Sequence, residues 1–215
     1  MSRYRLFPAP PPALIFALMA ALAGPAVQAQ DDGPETGTWD FAATLDGKAI
    51  GRHRFVVGGP EGAREVDSRA QFDVRLLGIS VYRYQHHARE VWQGDCLREL
   101  LADTNDDGEV QRVTQHYDDG CLMGFAYWNP RLVQQQQLVD PQTGVAGAVR
   151  FQRLPDAAIE VRGQKVPARG WRLLATTQRI TVWYAADSGR WIALDADAKG
   201  GRRLSYRLPP LEPAP

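Results

Sequence analysis

Residues 65–76 read Glu65-Val66-Asp67-Ser68-Arg69-Ala70-Gln71-Phe72-Asp73-Val74-Arg75-Leu76. Val66, Ser68, Ala70, Phe72, Val74 and Leu76 alternate with charged or amide side chains. That period of two gives a strand one buried and one wet face. Upstream, Trp39, Phe41, Ala43 and Leu45 share a face, Asp46-Gly47 turns the chain, and Ile50 to Val57 returns. Downstream, Gly78 separates the quoted strand from Ile79 to Trp92, and Gly94-Asp95 ends that one in turn. The period stays near two from Thr38 onward, with turn residues every eight to fifteen positions, which predicts an antiparallel all-β protein. A strand of about thirteen residues extends about 40 Å, too long for a small flat sandwich. The expected fold is therefore a long curled antiparallel sheet, a half-open barrel or β-roll.

Residues 121 to 140 interrupt the pattern. Met123 to Trp128 end at Asn129-Pro130 and Gln134 to Gln137 follow, which predicts one short helical or irregular crossover. After the turn Asp140-Pro141-Gln142-Thr143-Gly144, strands are expected at Val149 to Leu154, Ile159 to Val161, Gln178 to Tyr184, Trp191 to Leu194 and Arg203 to Leu208. Asp187-Ser188-Gly189 and Lys199-Gly200-Gly201 read as the last hairpin turns.

The first 29 residues read as an address. Arg3 and Arg5 precede the apolar run Ala13 to Ala23, and Ala26-Val27-Gln28-Ala29 supplies small residues, so a secretory signal is expected with cleavage between Ala29 and Gln30. The run rises only about 16 Å as a helix against a hydrocarbon core of roughly 30 Å, so no transmembrane span is expected after cleavage. No cysteine lies near the cut for lipid attachment. The organisation expected is a cleaved signal (1–29), a flexible N-terminal segment (30–37), a single β domain (38–209) and a Pro-rich tail (210–215). The localisation expected is the bacterial periplasm.

The chain has 215 residues, with Lys plus Arg at 25 and Asp plus Glu at 25, so no net field recruits nucleic acid or an anionic membrane surface. At 44% hydrophobic and 23% charged, the composition excludes wholesale disorder. Cys96 and Cys121 are the two cysteines. An even pair in an oxidising compartment predicts one disulfide. Between them Thr104-Asn105-Asp106-Asp107-Gly108 is a turn that brings the pair together. Asp103, Asn105, Asp107 and Gly108 match the opening of a calcium loop, but Thr114 stands where a bidentate carboxylate is needed, and the flanks read as strands.

The chemically richest stretch is Tyr82 to Trp92. Period two places Tyr82, Tyr84, His86, Glu90 and Trp92 on one face, an aromatic wall with a polar pair, as in a concave ligand site. Trp128, in the irregular segment, joins them as a candidate contact because loops carry function. The same face also reads as plain core, with His86 and Glu90 satisfying each other's hydrogen bonds. No metal is expected: His86 and His87 point to opposite faces, and His53 and His116 would have to converge from other strands. No cofactor fingerprint, phosphate loop or nucleophile motif is present.

Several pieces together resemble a family of uncharacterised exported bacterial proteins known only as a domain of unknown function. They are Trp39-Asp40-Phe41, Leu45-Asp46-Gly47, Ile50-Gly51, His87 to Trp92, Thr104 to Gly108, Tyr127 to Pro130, Asp140 to Gly144, Val182-Trp183-Tyr184 and Ser205 to Leu208. The resemblance implies a periplasmic β protein and brings no catalytic assignment. By architecture, the chain is also similar to periplasmic half-barrel lipoprotein carriers, which hold acyl chains against a concave apolar face. Three functions follow as expectations. The first is non-enzymatic binding of a lipid or other amphipathic small molecule, with Tyr82, Tyr84, Trp92 and Trp128 as apolar contacts and His86 and Glu90 at a polar head. The second is an envelope structural or assembly factor acting on a protein partner. The third is a hydrolase or isomerase using His86 and Glu90 as acid and base.

Overall fold

The computed structural model describes residues 36–176 and 178–210. The expected signal, its cleavage site at Ala29 and Gln30, and residues 30–35 and 211–215 of the two terminal segments lie outside the described residues.

Six strands form the first meander: β1 (Gly37–Leu45), β2 (Lys48–Gly58), β3 (Glu65–Leu76), β4 (Ile79–Gln93), β5 (Cys96–Asp106) and β6 (Glu109–His116). A crossover follows with three short strands, β7 (Met123–Gly124), β8 (Gln137–Val139) and β9 (Ala146–Ala148), and a 3-10 turn at Pro130–Gln134. The second meander holds β10 (Arg150–Arg153), β11 (Ala157–Val161), β12 (Gln164–Leu174), β13 (Arg179–Ala185), β14 (Trp191–Ala198) and β15 (Arg202–Arg207). Twelve strands make one antiparallel sheet in the order β10-β12-β13-β14-β15-β1-β2-β3-β4-β5-β6, with β11 on β12 beside β10. The meanders join where β1 pairs β15, Leu45 opposite Leu204. The end strands do not pair with each other, so the sheet is curled but open, as the long strands predicted.

Alternation is realised residue by residue. In β1 the buried side chains are Trp39, Phe41, Ala43 and Leu45. They meet Phe55, Trp191 and Tyr206 in one aromatic core, where Phe41 lies 4.5 Å from Trp191 between ring centroids. Four hairpins turn on two residues with positive φ at both positions: Asp46-Gly47, Leu77-Gly78, Asp107-Gly108 and Arg162-Gly163. The Asp107-Gly108 turn confirms a hairpin at the calcium-like sequence, and Asn105 Oδ1 accepts from the Gly108 amide at 2.8 Å.

β12 was not expected, because Pro167 and Gly170 break the strand signal. The fold accommodates both. Pro167 faces Ala158 of β11, and β13 begins pairing only at Ala168, so no ladder donor is missing on that side. At Gly170 the Trp183 ring lies against the backbone, and an added Cβ would sit 2.5 Å from it. β14 is also longer than expected, running through to Ala198.

The crossover packs against the inner face of the sheet. Met123, Ala126, Trp128, Leu132, Leu138 and Val139 are buried in the same core as Trp92, Leu97 and Val113. Its entry is tied down by the Cys96–Cys121 disulfide, with Cα atoms 4.7 Å apart. Beside it the Leu97 amide donates to the Leu122 carbonyl at 2.8 Å. Its exit is held where the Tyr117 hydroxyl donates to the Gly144 carbonyl. Among the described residues no helix is long and apolar enough to cross a membrane.

Candidate functional site

Between the concave face of the sheet and the crossover lies a cavity of about 660 Å³. Its lining comes from strands far apart in the sheet: Ile50, His53 and Phe55 on β2, Ser68, Phe72 and Val74 on β3, Ile180 on β13, Leu194 and Ala196 on β14, and Leu204 and Tyr206 on β15. β13 and β5 stand seven positions apart in the sheet order. A flat sheet would hold them about 34 Å apart, so a shared cavity requires the curl. Phe125, Tyr127, Asp140, Pro141 and Gln142 of the crossover close the opposite side.

β4 supplies the wall the alternation predicts, with Tyr82, Tyr84, His86, Ala88 and Glu90 all lining the cavity. Tyr84 stacks on Phe72 at 5.5 Å and lies 6.3 Å from the His86 ring. Trp92 and Trp128 depart from the expectation. Both are almost wholly buried, stand outside the lining, and pack edge to face at 5.5 Å in the core. The register of β4 against β5 shifts between Val91 and Trp92, and Trp92 sits where the crossover covers the sheet. Trp128 is drawn inward by its neighbour. Asn129 caps the 3-10 turn that Pro130 opens, accepting from the Arg131 amide at 3.0 Å while its own amide group donates to Asp95 at 2.8 Å. This segment is thereby a fixed core plug.

His86 and Glu90 do not satisfy each other. His86 Nδ1 bonds the Thr104 hydroxyl at 2.8 Å, and Glu90 accepts from the Trp92 indole at 2.9 Å. Burial pushes His86 down to about 4, helped by the neighbouring His87. Burial pushes the Glu90 carboxyl up to about 7, against the opposing effect of the indole bond. His53 is the site residue that strand reading did not place. It bridges Ser68 at 2.8 Å and Tyr206 at 3.2 Å across three strands, and burial, then His86, holds it down to about 3. Burial raises the Tyr84, Tyr127 and Tyr206 phenols. At neutral pH the deep wall therefore offers neutral imidazoles and phenols, and one carboxyl near its midpoint.

The rim is charged and two-sided. Asp106, Asp107, Glu109 and Asp140 line one side, while Arg179, Lys199 and Arg202 line the other beside Asp197. His116 lies away from the cavity on β6, 3.7 Å from Glu99. Among the described residues no three His, Cys, Asp or Glu side chains are grouped to hold a metal ion.

The model of the family described as domain of unknown function DUF6134 matches residues 41–209, nearly all of the sheet. A solved structure, that of a β-barrel-like protein of domain of unknown function DUF1849 from Brucella abortus, is similar in fold at a TM-score of 0.58 and 12% sequence identity. The match covers 83% of this chain and 97% of that one. No curated protein matches in sequence.

Proposed function

We propose that this chain, which belongs to the DUF6134 family, is a non-enzymatic binding protein of the bacterial periplasm that holds an apolar or amphipathic small molecule in its curled sheet. The observation that carries the reading is the cavity. Its volume falls in the range of about 300 to 1,000 Å³ typical of small-molecule sites. Its interior combines aliphatic and aromatic walls with a few convergent polar groups, and its charges gather at the rim. Tyr82 and Tyr84 are the apolar contacts, His53, His86 and Glu90 meet a polar group, and Trp92 and Trp128 support the wall from behind. Export rests on the N-terminal charge and apolar pattern, and the Cys96–Cys121 bridge suits an oxidising compartment. His86 and Glu90 each have a partner of their own, so no acid–base reaction is assigned to them.

The test is native mass spectrometry with organic extraction on protein exported through its own signal and purified with the bridge intact. A stoichiometric adduct released by the solvent is expected. A bare chain that also takes up no long-chain fluorescent fatty acid would overturn the reading.

A second reading, an envelope assembly factor, is supported by β6. Among the described residues that strand pairs only β5, and all its side chains but Val113 are exposed. An unpaired edge of this length is a template for strand addition. A defined partner in periplasmic pull-downs that is lost on placing proline in the free edge of β6 is its expected signature.

A further inference from the structure

The β3–β4 hairpin ends in four exposed aliphatic side chains within six residues, Leu76, Leu77, Ile79 and Val81. Pairing of β3 to β2 stops at Phe72, and pairing of β4 to β5 stops at Tyr84. Beyond those points the hairpin continues as a two-stranded ribbon whose base, Val74 opposite Tyr82, still lines the cavity, and only the residues past that pair project, by roughly 7 Å at about 3.3 Å per residue. Its turn is chemically out of place. Three of the four two-residue turns with positive φ open on a polar residue, Asp46, Asp107 or Arg162, whereas this one opens on Leu77 at φ 51. The left-handed region disfavours leucine, and asparagine or aspartate is the residue such a turn prefers. Leu77 is 94% exposed, so it recovers nothing by packing within the chain.

We propose that this tip inserts into the apolar margin of a lipid bilayer and sets the cavity mouth against it. Two observations favour a bilayer over a protein groove. The apolar side chains crown a narrow convex tip, which suits a soft phase that surrounds it. The ribbon also runs directly into the site, because the cross-strand pair Val74 and Tyr82 lines the cavity. Arg75 and Arg83 flank the tip in exposed positions, but Asp73 lies between them, pairing with Arg75 at 2.7 Å and interacting with Arg83, so the base of the tip has little charge of its own to offer. With equal numbers of basic and acidic residues in the chain, attachment is driven by apolar insertion. Docking is separable from cavity occupancy; only passage of a ligand between bilayer and cavity rests on the binding function proposed above.

The test is flotation of the oxidised chain with phosphatidylcholine vesicles at low and high salt, comparing the wild type with Leu77→Asn and Leu77→Asn/Ile79→Asn. Asparagine suits the turn, so the variants should fold with an unchanged or higher Tm. The wild type is expected to float with little salt dependence. The double variant is expected to partition at least roughly tenfold less while taking up cis-parinaric acid normally. A wild type that stays at the bottom of the gradient, or a folded double variant that floats as well as it does, overturns the proposal. Loss of cis-parinaric acid uptake with flotation intact would instead strike the cavity reading alone.

Discussion

Trp92 and Glu90 lie two residues apart on β4, and the Trp92 indole donates to the Glu90 carboxylate at 2.9 Å. The indole belongs to the core and the carboxyl faces the cavity, so one hydrogen bond joins the packing of the crossover to the polarity of the site.

Stability should peak near pH 6.5. Glu90 binds its proton more tightly folded than unfolded, so its contribution is complete below the ordinary 4.5 and is lost as pH rises through about 7. His53 and His86 have the opposite sign. Their contribution is present above 6.5 and is lost as pH falls toward about 4 for His86 and about 3 for His53. Between 6.5 and 4.5 the unfolded chain takes up two histidine protons, while the native chain retains one on Glu90. The net slope is about 1.4 kcal/mol per pH unit. In Glu90→Gln the alkaline decline should vanish and the acid slope should roughly double. Urea unfolding across this range measures both.

Losing the Cys96–Cys121 bridge should cost about 3.5 kcal/mol, the chain-entropy value for a loop of this length. Because the bridge anchors the entry of the crossover, a Cys96→Ser/Cys121→Ser protein should also bind an amphipathic probe more weakly than its residual stability alone explains. Denaturant titration with and without probe separates the two effects.

Trp128→Ala and Tyr84→Ala should behave differently. Trp128 is 2% exposed and packs on Trp92, so its removal should cost about 3 to 5 kcal/mol. Tyr84 lines the cavity, and its removal should weaken probe binding with a much smaller loss of Tm. A Tm series alongside probe titrations decides it.

Asp195 is 5% exposed and accepts from the Trp183 indole, the Ser205 hydroxyl and the Arg207 guanidinium. Asp195→Ala strands these donors and should cost about 3 kcal/mol or more, with cavity binding intact in the folded fraction. Chemical denaturation, with binding measured well below Tm, checks both parts.

The wall formed by β4 was legible in the sequence because Tyr82, Tyr84, His86 and Glu90 follow the period of one strand. The facing wall was not. His53, Leu194 and Tyr206 meet β4 only through the curl, and period two says which side chains share a face without saying which strands close over them. Trp128 was misplaced for a related reason. Its segment lacks periodicity and so resembles a surface loop, yet the disulfide and the Asn129 cap pull it into the core. β12 was hidden by Pro167 and Gly170, one beyond the reach of β13 pairing and the other beneath the Trp183 ring.

Whether the cavity holds an amphipathic molecule is decided by comparing solvent-extracted wild type with Ala196→Trp. Ala196 lines the cavity between Ile180 and Leu204, so an indole there occupies the ligand's space and leaves the sheet edges and hairpin tip untouched. Titration with cis-parinaric acid should show saturable binding to the wild type and at least roughly tenfold weaker binding to the variant, with similar Tm values. Absence of saturable binding to the wild type, or equal binding to a folded Ala196→Trp protein, would mean that the cavity is not the binding site.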